Sequence, residues 1–197
     1  MSARARAGRR PGDSGTREAI REAASRMFGE LGYDKTSVRA IAKEAGVDPG
    51  LVTYFYGSKQ ELFAQVVDLP VDPSVLIPHI LGEGSEGVGR RFAQFVVGLL
   101  ESDEGRRRIT GLVRSAASEP EAARIVRERV TRQILTPLAE GVGADRPELR
   151  ASFCSVQVVG LVMARYVVGI EPLASADPET VIDVLAPNFQ RLLAEPL

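Results

Sequence analysis

The segment AGVDPGLVTYFYGSK, from Ala45 to Lys59, places a helix stop and a helix start three residues apart. Before it, Val38, Ile41, Ala42 and Ala45 form an apolar stripe at helical spacing, with Thr36 or Ser37 available as N-cap. Gly46 then supplies the left-handed turn that ends a helix. Asp48 is a good N-cap, and proline is favoured at the first helical position, where its missing N–H would be unpaired anyway. Pro49 therefore opens a new helix. Gly57-Ser58 breaks it again.

A helix of about eight residues is marginal alone, so both must pack on neighbours. Two short helices joined by a tight glycine-containing turn form a helix-turn-helix. In this arrangement Val47, Val52 and one or both of Phe55 and Tyr56 face the core. Upstream, Ile20, Ala23, Ala24, Met27, Phe28 and Leu31 give a helix from a Thr16 cap to Gly32. Downstream, Leu62, Phe63, Val66 and Val67 give another, ending before Pro70.

The remaining chain is predicted helical near 73–82, 88–101, 105–117, 120–140, 147–169 and 178–194. Asp177-Pro178 repeats the Asp-cap, proline-first start, and Pro137 is expected to kink or end its helix. No window alternates with period two, so the fold class is all-α. Residues 1–15 hold almost no large apolar side chain and form a basic arm expected to be mobile. Arg4, Arg6, Arg9 and Arg10 could reach a nucleic-acid groove or simply aid solubility. Domain limits follow: the arm at 1–15, a helix-turn-helix domain with connecting helix at 16–69, and a helical domain at 70–197.

Charge supports two different partners. The 197-residue chain has a net charge of −1, yet residues 1–66 carry 11 Lys or Arg against 8 Asp or Glu, and the rest 14 against 18. One cysteine, Cys154, excludes an internal disulfide framework and a cysteine-rich zinc site, and fits a cytoplasmic setting. No run of 18 consecutive apolar residues occurs, so no membrane span is expected.

Residues 16–63, TREAIREAASRMFGELGYDKTSVRAIAKEAGVDPGLVTYFYGSKQELF, resemble the TetR family of bacterial transcription regulators. The likeness is carried by Phe28, Gly32-Tyr33, Thr36, Ile41-Ala42, Ala45-Gly46-Val47, Gly50, Ser58-Lys59 and Leu62. It implies an all-α homodimer, with a three-helix N-terminal helix-turn-helix DNA-binding domain and a C-terminal helical domain for ligand binding and dimerisation. It also implies a double-stranded DNA operator, a small-molecule effector of unknown identity, and release of the operator when the effector binds. Many family members carry tyrosine where Thr53 stands, so phosphate contact by Tyr54 and Lys59 carries over more safely than contact by Thr53.

Candidate DNA-binding residues are Thr36, Ser37, Pro49, Gly50, Thr53, Tyr54 and Lys59. A short helix needs phosphate contacts to fix its register, and Pro49-Gly50 allow backbone near the bases. Tyr54 could instead pack in the core, Lys59 could be a solvated charge, and Leu51 fits either packing or a base contact. Candidate effector-pocket residues are Phe92, Phe95, Arg114, Met163 and Tyr166, with Arg165 beside them, a mix of apolar walls and few polar groups. Arg114, if inward, needs an anion. Apolar stripes run along the last two long helices, Val156, Val159, Gly160, Met163 and Val167 on one and Ile182, Leu185, Phe189 and Leu192 on the other; one face of each is core, and the resemblance implies that the rest pairs across a two-fold axis.

Three rival signals are weaker. Gly82-Glu83-Gly84-Ser85-Glu86-Gly87 spells G-x-G-x-x-G, but no strand precedes it and its glutamates would repel a pyrophosphate. His79, the single histidine, has no cysteine cluster beside it, and Cys154 reads as small apolar packing. No cofactor or metal site and no converging catalytic cluster is found, so the chain is not read as an enzyme. The function the resemblance implies is that of a ligand-responsive, dimeric repressor on a palindromic operator. The alternative is a helix-turn-helix protein with an architectural or cell-division role and no effector.

Overall fold

The computed structural model describes residues 11–66, 71–82 and 84–196, and these form helices with no strand. They are α1 (Pro11–Leu31), α2 (Val38–Ala45), α3 (Pro49–Tyr56), α4 (Lys59–Val66), α5 (Pro73–Leu81), α6 (Val88–Glu101) and α7 (Asp103–Ser115). Then α8 (Pro120–Ile125) passes through a π-helical stretch, Val126–Leu135, into α9 (Thr136–Gly141). α10 (Pro147–Val162) continues as a second π-helical stretch, Met163–Val168, and α11 (Pro178–Ala194) closes the chain. All six C-terminal helices expected from periodicity are present, with ends shifted by a residue or two.

The start of α1 differs from expectation. It begins at Pro11, five residues before Thr16, so 11–15 are helical and not part of an arm. A proline at the first helical position is compatible with this start, and apolar content was the wrong guide to it. Arg4, Arg6, Arg9 and Arg10 lie outside the described residues.

Aspartate caps recur. Asp48, Asp72 and Asp177 each precede a proline and accept from the backbone N–H of Gly50 (2.7 Å), Ser74 (2.9 Å) and Thr180 (2.9 Å). Each thus satisfies an otherwise orphaned donor at a helix start. Pro137 sits at the first turn of α9, just after the π-helical stretch, where it supplies no N–H to the preceding turn.

Two buried apolar clusters organise the packing. The first joins α1–α4 around Ile20, Phe28, Ile41, Val52, Leu62 and Phe63, and recruits Leu112, Ala122 and Ile125 from beyond them. The second fills the space among α5–α11. The joint between them is α7. A Cβ added to Gly111 would lie 2.9 Å from the Gly29 Cα, and one added to Gly29 would lie 2.9 Å from the Arg107 carbonyl oxygen. Only glycines let α1 and α7 approach this closely.

Two long side chains lock the C-terminal helices. Arg150, 1% exposed, donates to the Leu192 carbonyl at 2.8 Å and pairs with Asp145. Arg165 donates to the Leu173 and Ala176 carbonyls, each at 2.7 Å, and so fixes the loop before α11.

Candidate DNA-binding face and effector cavity

The turn between α2 and α3 forms as its residues dictate. Ser37, not Thr36, caps α2, its hydroxyl accepting from the Ala40 N–H at 3.1 Å. Gly46 takes φ 67° and ψ 32°, and the Val47 N–H reaches back to the Ala42 carbonyl at 2.9 Å. On α3, Val52 and Tyr56 are buried, and Val47 and Phe55 pack at the edge of the same cluster. The Tyr56 hydroxyl donates to the Arg17 carbonyl at 2.7 Å, tying α3 to α1.

With Val52 and Tyr56 turned inward, the opposite face of α3 is left to solvent. Pro49, Gly50, Thr53 and Tyr54 are all exposed there, with Tyr54 at 74%. Leu51 is at 38%, a surface position rather than a core one. At 74% exposure most of the Tyr54 ring lies in water. Its ring meets only the edge of Phe55 in this face's aromatic contacts, at 5.0 Å between centroids.

Thr36 corrects the sequence reading. Its side chain is buried at 1% exposure, and its hydroxyl donates to the Gly32 carbonyl at 2.8 Å and the Met27 carbonyl at 3.2 Å. It ties the end of α1 to the start of α2 and offers nothing to a phosphate. Ser37 is exposed but commits its hydroxyl to the cap.

Lys59 lies partly exposed with its ammonium 3.9 Å from the Tyr33 ring centroid, a cation–π contact that aims a long side chain. Tyr33 is itself fixed against Phe28 and Phe63. At the same helix start, the Ser58 N–H donates to Glu61 at 2.7 Å, and the Glu61 N–H donates back to the Ser58 hydroxyl at 3.1 Å. This is a capping box, and the bonds from Ser58 hold the Glu61 carboxyl below the usual carboxylate range. Arg39 and Lys43, four residues apart on α2 and both exposed, are two further cations that the sequence reading did not include. Their spacing on the face opposite Ile41 and Ala42 was the available signal.

A cavity of about 60 Å³ opens among α6, α7, the first π-helical stretch and α10. Phe92 and Phe95 line it. Arg114, Met163 and Tyr166 do not line it. Arg114 donates instead to the Glu30 carbonyl at 3.0 Å, so the α1 C-terminus supplies its negative partner. Tyr166 accepts from Arg165 at 3.0 Å and donates to Glu101 at 3.2 Å, with burial raising its phenol above the ordinary value. Met163 packs at the edge of the second cluster. Helical periodicity gave the right elements for these three but not their rotation about the axis.

The cavity touches the joint with the N-terminal helices. Leu112 lines it and also belongs to the first apolar cluster. Along the same helix, Gly111 meets Gly29, Arg114 meets Glu30, and Ser115 accepts from the Tyr33 N–H at 3.1 Å. One helix therefore walls the cavity and grips the last turn of α1.

The rival motifs resolve. The Arg91 guanidinium donates to the carbonyls of Ile80 (2.5 Å), Leu81 (3.0 Å), Gly84 (2.7 Å) and Glu86 (2.8 Å). The glycine-rich loop thus turns carbonyls toward a cation, the reverse of a phosphate cradle. His79 is exposed. Cys154 is buried, and burial pushes its thiol up to about 12. A thiol so placed is inert packing.

Residues 20–66 match a family described as bacterial regulatory proteins, tetR family, and residues 86–193 match the tetracyclin repressor-like C-terminal domain. Among solved structures, a TetR-family regulator from Streptomyces coelicolor is 37% identical, covering 95% of this chain and 99% of its own, with TM-score 0.60. NalD, the secondary repressor of the MexAB-OprM multidrug efflux pump in Pseudomonas aeruginosa, is 23% identical over 95% of this chain and 100% of its own, with TM-score 0.72. The multidrug binding protein EbrR, solved with imidazole, is 19% identical over 100% of this chain and 99% of its own, with TM-score 0.67. Among curated proteins no sequence match was found.

Proposed function

The chain belongs to the TetR family of bacterial regulatory proteins, and from that premise we propose that it is a homodimeric repressor whose α3 helices read the two halves of a palindromic operator. The observation that carries this is the outward row Pro49, Gly50, Thr53 and Tyr54 on a helix anchored from behind by Val52 and Tyr56. Such a helix keeps its register when it enters a major groove. Lys59 supplies phosphate contact and Thr53 a short-reach contact to base or backbone. The regulator works in the cytoplasm, where its operator lies.

Support for the dimer comes from α10 and α11. The helix spanning 147–168 has a mean hydropathy of 1.6 over its most apolar window, high enough and long enough for a membrane span, yet only 22% of that window is buried. Val156 and Val184 stand 62% and 64% exposed beside a groove of about 450 Å³ that also includes Gly160 and Leu185. An apolar face of this kind is an association surface, and a two-fold partner presenting the same face would cover it.

Effector binding in the cavity beside Leu112 lowers operator affinity by shifting α7, and with it the last turn of α1. Linkage requires DNA to lower effector affinity by the same factor. That the fold also serves a repressor and a multidrug binding protein is consistent with this reading. The test is selection of genomic DNA fragments by the purified protein. Enriched fragments should share a palindrome with half-sites one or two helical turns apart. Enrichment of a single unrepeated half-site, or of no sequence, would contradict the proposal.

A further inference from the structure

Ser155 lines both the cavity and a space on the surface outside it. Every described residue lining the cavity is apolar except Ser155. Ser155 also lines a separate, open vestibule of about 500 Å³, whose other walls include Arg127, Thr131, Arg132 and Glu148. Between the two spaces, the hydroxyls of Ser155 and Thr131 are hydrogen bonded at 2.8 Å. Thr131 stands midway along the π-helical stretch, whose Val126, Val130 and Ile134 form a cavity wall.

Such π-helical turns cluster at functional sites. Their wider i→i+5 turn can revert toward α-helix, which would move a wall residue without unfolding the segment. The cavity needs such a movement. A void of about 150 Å³ is known to hold benzene, and this one, at about 60 Å³, is smaller. Anything of aromatic size must displace a wall. A charged group drawn inside would find no counter-ion, which is a large desolvation cost. An uncharged apolar body meets no such barrier.

We propose that the effector is an uncharged, predominantly apolar molecule, and that it enters from the vestibule by parting the Thr131–Ser155 pair and displacing the π-helical wall. This rests on the reading of the cavity as the effector site, but its test does not depend on DNA.

Two dyes of one ring skeleton separate the possibilities: uncharged N-phenyl-1-naphthylamine and its anionic relative 8-anilino-1-naphthalenesulfonate. Fluorescence titration of the full chain should show the neutral dye binding at least tenfold more tightly. Val130→Phe, which fills the cavity, should abolish that binding while the melting temperature stays within a few degrees. If it fails to fold, Val158→Phe fills the same space from α10. The double variant Thr131→Val with Ser155→Ala removes both hydroxyls and should raise the stopped-flow entry rate at least threefold. Equal or tighter binding of the anionic dye would overturn the ligand class. Neutral-dye binding that survives both filling variants would overturn the site, and an unchanged entry rate would overturn the portal. Neutral-dye binding with no effect on operator affinity would instead sink the repressor mechanism and leave this inference standing.

Discussion

Gly29 and Gly111 touch backbone to backbone, so close that a Cβ on Gly111 would lie 2.9 Å from the Gly29 Cα. This contact joins the helix-turn-helix region to the helix that walls the cavity, and it sets the first prediction. Gly111→Val must push α1 away from α7, and overpacking of this kind costs about 1–3 kcal/mol. Gly98→Ala is the control, because a Cβ there meets nothing within 4 Å. Removing that helix glycine should stabilise by about 0.5–1 kcal/mol. Thermal unfolding of the two variants should move in opposite directions.

Lys59→Ala should weaken binding to operator and to unrelated DNA alike, and flatten the salt dependence by about one unit of slope. It also removes the contact over Tyr33, worth about 0.5–1 kcal/mol at a site open to solvent. A small loss of melting temperature should accompany the change. A variant with altered sequence preference would contradict the phosphate role.

Asp145 makes acid stability testable. Hydrogen bonding from Arg150 holds its carboxyl below the ordinary value. A carboxyl depressed in the folded state contributes stability that is fully present above its unfolded pKa, about 3.9, and is lost as pH falls through the lower folded value. Asp145→Asn should therefore lower the melting temperature at pH 6 and reduce its further decline between pH 4 and 2. A parallel decline in both proteins would show that the pair is not the acid-sensitive element.

Cys154 gives the alkaline counterpart. Its thiol is pushed up to about 12 by burial, whereas in the unfolded chain it ionises near 8.5. A raised acid favours the folded protein while both states are protonated, and that contribution falls as pH rises from about 8.5 toward 12. Cys154→Ala should weaken this alkaline loss. In the native protein at pH 8, Ellman's reagent should react at the rate of unfolding rather than at the rate of a free thiol.

The sequence disclosed the elements better than their facing. Gly46, Asp48 and Pro49 announced the turn because each answers a local backbone demand that no distant residue can change. Period alone places Val52 inward but leaves Phe55 and Tyr56 undecided, and the fold buries Tyr56 while Phe55 packs at the edge. Thr36 reads as a cap or DNA contact because a threonine near a helix start ordinarily serves such roles, and only the fold brings the carbonyls of Met27 and Gly32 to its hydroxyl. Arg114 and Arg165 sit on the predicted helices, but their partners are backbone carbonyls of α1 and of the loop before α11. Nothing near either residue in sequence foretells them. The π-helical stretch was also hidden, since Val126, Val130 and Ile134 repeat at a spacing that fits α and π turns equally.

If the exposed face of α3 reads DNA, Tyr54 at its outermost point carries the contact whose loss is easiest to see. Fluorescence anisotropy of a selected operator fragment should be titrated with the native protein and with Tyr54→Ala at about 50 mM salt, where phosphate contacts are strong. The variant should bind at least tenfold more weakly with an unchanged melting temperature, since a side chain 74% exposed supports little packing. Equal affinity of the two proteins would contradict it.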